Sequence, residues 1–276
     1  MALNSVNTNT GALTALQNLS ITNRDLNDVQ ARISTGLKVA SAKDNGAIWA
    51  IAQNQRATIN AFDSVKASLQ RGQSVVDVAV SAGETVSDLL SQMKAKALAA
   101  SDQTLDVPSR TALNEDYKSL RDQIAKVVAN ADFNGANMIS ATATTVKALA
   151  NSAGTSVLTV QAQNMTLGGA IVTVTATASF NTATTAGTQL TAVNNSLTNV
   201  SAAVSKLGTG SNSLQTHLNF ISDMQDAMLI GVSNLVDADV AKESAKLQAL
   251  QTKQQLGVQA LSIANSSTSI LLALFR

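Results

Sequence analysis

Between Leu190 and Leu235, apolar residues recur at alternating steps of three and four along the chain. This heptad spacing is typical of a long helix that packs one apolar seam against another helix. Ser211 and Gln225 are polar, and polar seam residues lower stability but fix the register of the paired helices. The pattern predicts a long coiled-coil helix whose seam comprises Leu190, Val193, Leu197, Val200, Val204, Leu207, Ser211, Leu214, Leu218, Ile221, Gln225, Met228, Val232 and Leu235.

The first half of the chain carries a matching apolar stripe. No proline occurs before Pro108, so a single helix is expected from Ala47 to Ser101. At a rise of ~1.5 Å per residue such a helix is about 80 Å long, whereas a compact globule of this chain length is about 50 Å across. The length therefore favours a rod. A further helix follows Pro108, with heptad spacing at Leu113, Tyr117, Leu120, Ile124, Val127 and Ala131.

Both ends of the chain are predicted to be helical. The N-terminal helix should end near Gly36, and either Asp44 or Asn45 should cap the next helix. The C-terminal helix leads into five bulky apolar residues within the last seven, a run shorter than the ~18 apolar residues that span a membrane. Burial of these five side chains would contribute about 10 kcal/mol before ordering costs, so we expect them to pack against other copies of the chain.

The middle of the chain differs in composition. Residues 141–187 are rich in Thr, Ala, Ser, Asn and Gly, and they contain the alternating stretches "TSVLTVQAQ" and "AIVTVTATASF" on either side of Gly168 and Gly169. This pattern predicts a small β-hairpin, with a disordered low-complexity loop as the alternative. The Ser and Thr residues are either plain solvent-compatible surface or acceptors of O-linked sugars, at sites that the sequence does not identify.

Together these patterns predict a mainly α fold: an elongated antiparallel coiled-coil rod with paired terminal helices and a small β-hairpin insert. Residues 1–45 and 233–276 are expected to form the paired terminal helices. Residues 46–140 and 188–232 are expected to form the coiled-coil rod domain, and residues 141–187 the surface insert.

Composition and motifs argue against several functional classes. Charged residues make up 13% of the chain, the net charge is +1 and no basic run occurs, which argues against nucleic-acid binding. There is no cysteine, no G-x-S-x-G elbow and no phosphate-binding loop, so no catalytic residue, cofactor or metal site is expected. The only histidine, His217, is interpreted as a solvated helix-surface residue, and "GTG" at 208–210 as a local helix defect.

Three motifs in order resemble the bacterial flagellin family. The stretch "ARISTGLKVASAKDNGAIWAIAQ", residues 31–53, is similar to the family's N-terminal signature. The turn "ADFNGANMI" carries the family's Phe-Asn-Gly, and "LQALQTKQQLGVQALSIAN" resembles the C-terminal signature. Identical residues of the two signatures stand at Arg32, Ser34, Gly36, Ser41, Ala42, Asp44, Ala47, Ala50, Ile51, Ala52, Leu247, Gln251, Gln254, Gln255, Gly257, Leu261, Ala264 and Asn265.

The resemblance implies a structural subunit, of the short-insert type found in alphaproteobacteria, that polymerises into the helical flagellar filament for motility. A hook–filament junction protein is the alternative. It also implies paired terminal helices lining the inner core of the filament. On that basis the expected subunit interface comprises Leu13, Leu16, Leu19, Leu26, Val29, Ile33, Leu256, Leu261, Ile263, Leu271, Leu272, Leu274 and Phe275.

Partners and location follow from the same resemblance. The expected partners are other flagellin copies in a homo- or heteropolymer, the export apparatus with a chaperone, and the filament cap and junction proteins. The expected location is the extracellular flagellum, reached by type III export without a cleaved signal. Neither nucleic-acid binding nor membrane insertion is expected.

One departure from the family pattern concerns recognition by a vertebrate innate receptor. Many members carry a Leu/Met-Arg-Glu-Leu-Ala-Val-Gln stretch on the first long helix, which that receptor reads. Here the aligned segment is "MKAKALAAS", with Lys94 at the arginine position, Ala95 at the glutamate and Lys96 at the leucine. The substitutions predict an altered receptor patch and weak recognition.

Overall fold

The computed structural model describes the backbone of residues 8–273 and the side chains of residues 8–266. It contains helices α1 (Thr10–Thr35), α2 (Gly46–Ala100), α3 (Val107–Asn130), α4 (Ala183–Val236) and α5 (Val240–Ala273). Strands β1 (Val146–Leu149) and β2 (Val157–Val160) form an antiparallel pair between α3 and α4. The predicted mainly α fold with paired terminal helices and a small hairpin is confirmed.

The chain divides into two compact units, each built from both halves of the sequence. The first unit combines the described residues up to Ala57 with those from Ala227 onward, and the second comprises Thr58–Asp226. Helices α2 and α4 each contribute residues to both units.

In the first unit, α1 and α5 pack side by side in opposite directions. Leu26, Val29 and Leu250 form a small buried core, with Ile33 and Leu247 packed beside it. Polar contacts flank this core along the pair: the Gln254 amide donates to the Asn23 side chain at 2.8 Å, and the Asn9 amide donates to the Ala264 carbonyl at 2.7 Å. Arg32 and Glu243 approach to 3.6 Å at the other end of the pair. Helix α5 continues unbroken to Ala273.

In the second unit, one face of α2 is buried, and α4 packs against it at Gly72 and Gly83. The buried α2 positions recur at steps of three and four, and the α4 residues at every seventh position are inaccessible to solvent. The heptad spacing seen in the sequence therefore marks real helix packing in this unit. These residues are Phe62, Val65, Leu69, Gly72, Val76, Ala79, Gly83, Val86, Leu90, Met93, Ala97 and Ala100 on α2, and Val193, Val200, Leu207, Leu214 and Ile221 on α4.

The two polar seam residues hydrogen bond across the pair. The Gln225 amide donates to the Ile59 carbonyl at 3.2 Å and to Asp63 at 2.9 Å, and it accepts from the Lys66 ammonium at 2.9 Å. The Ser211 hydroxyl donates to the Asp77 carboxylate at 2.7 Å. A shift of one helix along the other would break all of these bonds, so the polar side chains favour a single register.

The turn between α2 and α3 is closed by a buried arginine. The guanidinium of Arg110 donates to the carbonyls of Ala100 at 3.1 Å, Asp102 at 2.8 Å and Leu105 at 3.0 Å. These bonds satisfy carbonyls that the end of a helix leaves without partners. Pro108 lies in the first turn of α3, where its missing N–H costs nothing.

Helix α3 ends just before the predicted turn. Asn134 and Gly135 both have positive φ, 52° and 79°, as a tight hairpin turn requires. The Asp132 carboxylate accepts from the Gly135 amide at 3.0 Å, and Phe133 pairs with Ala136 across the turn.

The insert contains a hairpin, but the predicted strand pairing is wrong. Strand β2 lies within the first predicted stretch, and its partner is the preceding segment Val146–Leu149 instead of "AIVTVTATASF". The latter stretch forms no strand. Its alternating residues Val172, Val174, Ala178 and Phe180 are buried, and its backbone bonds to side chains of α3 and α4. Alternation here reflects burial against helices and not pairing within a sheet.

The hairpin lies on two glycines of the long helices. A Cβ atom added at Gly72 of α2 would approach Val146 to 3.1 Å and Ala148 to 3.3 Å. One added at Gly210 of α4 would approach Val160 to 2.5 Å. Helix α4 is continuous through residues 208–210, so the interpretation of a local helix defect is wrong. Gly210 is instead a point of close approach between the helix and strand β2.

His217 also contacts the hairpin, so its interpretation as a solvated surface residue is wrong. It is half-buried on α4, and its Nε2 lies 2.8 Å from the carbonyl oxygen of Ala150, which follows strand β1. Its ring lies 5.8 Å from that of Phe220. His217 stands seven residues after Gly210 on α4, on the stripe that faces the insert.

Substitution of the two α4 glycines by alanine tests this packing. At Gly208 an added Cβ meets nothing within 4 Å, so Gly208→Ala should stabilise the chain by up to about 1 kcal/mol through helix propensity. At Gly210 the added Cβ clashes with the stiff Val160 side chain, so Gly210→Ala should destabilise it by about 1–3 kcal/mol. Thermal unfolding followed by circular dichroism measures both, and adding Val160→Ala should offset part of the Gly210→Ala loss. Equal stabilisation by the two alanines would contradict the hairpin packing.

Candidate assembly surfaces

The N-terminal signature forms the connection from α1 to α2. Gly36 ends α1 in the left-handed region, as predicted, with φ 69°. Beyond it, the amides of Lys38 and Val39 donate to the Val236 carbonyl at 2.7 and 3.3 Å, and the Ala238 amide returns a bond to Gly36 at 2.8 Å. Val39 and Val236 are buried at this crossing. The signature therefore ties the α1–α2 connection to the α4–α5 connection within the first unit.

Asp44 and Asn45 divide the capping roles that the sequence left open. Asn45 accepts from the Ile48 amide at 3.1 Å and so caps α2. One Asp44 oxygen accepts from the Ser41 amide at 2.8 Å and from the Ser41 hydroxyl and the Ala40 amide at 3.1 Å each. These bonds, the Ser41 amide foremost, lower the pKa of Asp44. The carboxylate thus holds the turn that precedes α2.

The predicted interface residues fall into two sets in the first unit. Leu26 and Val29 are buried between α1 and α5, while Leu19, Ile33 and Leu261 are half-buried at the same contact. In contrast, Leu13, Leu16, Leu256 and Ile263 are 57%, 53%, 59% and 70% exposed. The side chains of Leu271, Leu272, Leu274 and Phe275 lie outside the described residues.

Further apolar side chains of this unit are exposed, and sequence reasoning missed them. They lie off the stripes that the heptad pattern selects, so periodicity alone gave no signal for them. A scan for large apolar residues on the polar side of each helix would have found them. They are Ile21, Leu229, Ile230, Val240 and Val258.

Shallow apolar grooves run along the α1–α5 pair. One, of about 460 Å³, is lined by residues that include the small Ala15, Gly257 and Ala260 and the larger Leu19 and Leu256. Another, of about 410 Å³, is lined by residues that include Ala12, Leu13, Leu16 and Leu261. Small residues beside large exposed ones provide both holes and projections for packing against another helix.

The segment aligned with the innate-receptor stretch lies near the end of α2. Lys96 is held by α3, because its ammonium lies 2.7 Å from the Asp116 carboxylate. Ala95 is exposed and Lys94 is half-buried. The structure thus places a lysine–aspartate pair and a methyl group on this face.

Other kinds of site were sought in the described part of the chain. No cluster of three or more His, Cys, Asp or Glu side chains with a metal-binding arrangement occurs among the described residues. Among those same residues, no helix is both long and apolar enough to cross a membrane.

Comparison with known proteins decides the family. Residues 6–144 match the family model of the bacterial flagellin N-terminal helical region, and residues 190–275 match that of the bacterial flagellin C-terminal helical region. The chain belongs to the bacterial flagellin family. The unmatched residues between the two regions include most of the insert. Together with the full-length relatives, the small size of this insert identifies a flagellin of the short-insert, alphaproteobacterial type.

Full-length relatives agree with this assignment. The flagellin is 58% identical to flagellin FljM and 57% identical to flagellin FljO of Caulobacter vibrioides, each over the whole of both chains. It is 36% identical to a flagellin of Brucella melitensis over 99% of both chains. The match over the entire length places this flagellin among filament subunits, and no comparison favours the hook–filament junction alternative.

Two solved structures share the fold. The crystal structure of Bacillus cereus flagellin superposes with a TM-score of 0.50 at 19% identity, over 56% of this chain and 88% of that one. A flagellar hook-associated protein from Vibrio parahaemolyticus superposes with a TM-score of 0.55 at 16% identity, over 70% of this chain and 100% of that one. At such low identity these likenesses concern the fold alone. The family models and the full-length relatives, in contrast, establish that this flagellin is a structural subunit of the bacterial flagellar filament, which serves motility.

The role of Asp44 predicts a pH dependence of stability. Because its pKa is lowered in the folded chain, its contribution is present above the unfolded-state pKa of about 4 and is lost as pH falls through the folded-state value. The wild type should therefore lose its advantage over Asp44→Asn below about pH 4. Urea midpoints of both chains between neutral and acidic pH measure this. A difference that stays constant over this pH range would contradict the role of Asp44.

Proposed function

We propose that the exposed apolar faces of α1 and α5 form the surface by which copies of this flagellin polymerise. The observation that supports this is the exposure of Leu13, Leu16, Leu256 and Ile263, each more than half accessible, beside a completed contact between the two helices. Burial of each such side chain contributes about 1.5–3 kcal/mol. A helix pair with so small a core gains more from neighbouring copies than from its own packing.

The two sets of predicted residues have different roles in this proposal. Leu26 and Val29, with half-buried Leu19, Ile33 and Leu261, hold α1 against α5 within one copy. The exposed set makes the contacts between copies. The groove lined by Ala15, Gly257 and Ala260 receives projecting side chains from a neighbouring copy. Leu271, Leu272, Leu274 and Phe275 extend the same interface in the proposal, although they lie outside the described residues.

The proposal also assigns each part of the chain to a layer of the filament. Residues 1–45 and 233–276 would form the inner core of the filament, and residues 46–140 and 188–232 the surrounding layer. The two compact units support this, although their boundaries lie at Ala57/Thr58 and Asp226/Ala227. Residues 141–187 face outward in this proposal, and many of them pack on the α2–α4 pair of the second unit.

We further propose an extracellular polymer, alone or with sibling flagellins, that reaches the cell exterior without a cleaved signal. The export apparatus, a chaperone, and the filament cap and junction proteins would be its other partners. A purely structural role without catalysis, cofactor or nucleic acid fits the family. Full-length similarity to filament flagellins supports this proposal.

Substitution of exposed leucines tests the polymerisation surface. Leu13→Gln together with Leu16→Gln should leave the unfolding free energy of the monomer within about 0.5 kcal/mol, because both side chains are exposed. Filament formation should be abolished, as measured by sedimentation and electron microscopy of seeded subunits.

Leu26→Ala provides the matched contrast. Leu26 is buried between α1 and α5, so its truncation should destabilise the folded chain by about 2–5 kcal/mol, yet it removes no contact between copies. At low temperature this variant should still form filaments. Normal filaments from the Leu13/Leu16 variant would refute the proposed surface.

Weak recognition by the innate receptor is proposed from the segment at Lys94, Ala95 and Lys96. Ala95 presents a methyl group in place of a carboxylate, and Lys96 is engaged with Asp116. Reporter cells that express the receptor should respond weakly to the monomer. The variant Lys94→Arg/Ala95→Glu/Lys96→Leu should respond more strongly, and strong activation by the wild type would overturn this proposal.

O-glycosylation of the insert is proposed on its exposed hydroxyl groups. Thr142, Thr144, Thr155, Ser156 and Thr175 are among the accessible Ser and Thr residues of the insert. Intact-protein mass spectrometry of filaments from the native cell should give a mass above that of the polypeptide. A mass equal to that of the polypeptide would rule out this modification.

A further inference from the structure

The second unit carries a groove that the polymerisation proposal does not use. The groove has a volume of about 300 Å³ and lies beside the point where strand β1 packs on Gly72. Its apolar lining comes from Val75, Phe133 and Val146, and its charged lining from Arg71 and Lys147. We call it the Phe133 groove.

The charged lining of the Phe133 groove is cationic. Arg71 and Lys147 are both exposed, and within the described part of the chain neither forms an ion pair. Asp132, next to Phe133, accepts a hydrogen bond from the Gly135 amide. Phe133 itself is 38% exposed although it is a large aromatic side chain. The groove thus combines an accessible apolar surface with two unpaired positive charges.

A complementary surface lies at the turn between α2 and α3, which we call the turn surface. Leu98 and Val107 are 57% and 67% exposed at the ends of the two helices. Asp102 and Asp106 are also exposed, and neither forms an ion pair with a described residue. The only cation inside the turn, Arg110, is buried and bonded to three carbonyls. Bonds from the Thr104 amide and hydroxyl lower the pKa of Asp102, so its carboxylate is charged at neutral pH.

The turn surface cannot occupy the groove of its own chain. Arg71 and Leu98 belong to the same continuous helix and are 27 residues apart (98 minus 71), which corresponds to about 40 Å. Two complementary surfaces that lie far apart on one chain can meet only between copies. A head-to-tail contact of this kind forms a ring when its rotation closes and otherwise propagates into a helical filament, which is the form that a filament subunit takes.

We propose that the turn surface of one flagellin copy docks in the Phe133 groove of a second copy. Asp102 and Asp106 lie against Arg71 and Lys147, and Leu98 and Val107 cover Val75 and Phe133. The contact joins the second units of neighbouring copies, in addition to the contacts of the α1–α5 pair. It rests on filament formation but not on the identity of the α1 and α5 interface residues.

Charge reversal with reciprocal rescue tests the contact. The variants Asp102→Lys/Asp106→Lys and Arg71→Glu/Lys147→Glu should each slow elongation from wild-type seeds by about tenfold at low salt. The chain that carries all four changes, seeded with fragments of itself, should recover most of the wild-type rate because the opposite charges again face each other. Circular dichroism first establishes that each variant is folded. As a matched control, Asp88→Lys/Lys206→Glu changes exposed charges of the same unit outside both surfaces and should elongate normally.

Cross-linking provides a test that does not rely on charge reversal. The chain has no cysteine, so Val107→Cys/Lys147→Cys introduces the only two thiols. A short bismaleimide applied to filaments of this variant should give a ladder of covalent oligomers on a denaturing gel. Val107→Cys/Lys206→Cys, with the second thiol on α4 outside the groove, should give none.

The outcomes separate this inference from filament formation itself. If folded wild-type chains form no filaments from seeds, the filament function fails. If filaments form but the Val107/Lys147 variant gives no ladder, or if the four-fold charge exchange does not recover the rate, the proposed contact is wrong and filament formation stands. Recovery together with a specific ladder would support the contact.

Discussion

The close packing of α2 against α4 determines most of the second unit. Large side chains such as Leu69 and Leu214 are fully buried in this seam, and Leu214 lies 3.8 Å from the position that a Cβ atom of Gly72 would take. At Gly72 and Gly210 the missing side chains let the hairpin approach both helices, and at Gly83 a Cβ would come within 2.7 Å of Val204. Glycine in a helix costs about 1 kcal/mol relative to alanine, and this packing offsets that cost. The register set by Gln225 keeps each glycine opposite its partner.

The first unit differs, because its helices α1 and α5 leave many apolar side chains exposed. Between α1 and α5, the buried apolar core that the structure describes consists of Leu26, Val29 and Leu250, while several large apolar side chains on the same helices are exposed. Burial of these side chains between copies, as proposed, would stabilise the folded chain by mass action. The signature around Gly36 and Asp44 ties the two connections of this unit together, so the exposed faces are presented by a defined scaffold.

Much of this architecture could be predicted because helix packing leaves a periodic trace in sequence. The bounds of α2, the end of α1 at Gly36, the turn at Asn134 and the position of Pro108 all matched expectation, because each depends on local backbone preferences or on a heptad repeat. The partner of strand β2 in the hairpin did not match expectation. Alternating apolar residues are compatible with a strand, but also with an extended segment that packs on helices. The interpretations of His217 and Gly210 were wrong for a related reason, because both residues contact segments that are distant along the chain. Val160 lies 50 residues before Gly210 (210 minus 160), and Ala150 lies 67 residues before His217 (217 minus 150).

The candidate surfaces show where sequence reasoning ends. The heptad stripes and signature motifs were enough to establish long paired helices and, through the resemblance, a filament subunit. Only the tertiary structure separated Leu26, which holds α1 to α5, from Leu13, which is left exposed, although both lie on the predicted stripe. Only the tertiary structure brought Arg71 beside Phe133 and Lys147, and left Asp102 beyond their reach in the same chain. The physical reason is that periodicity records which residues face a neighbour, whereas the identity of that neighbour depends on contacts between distant segments.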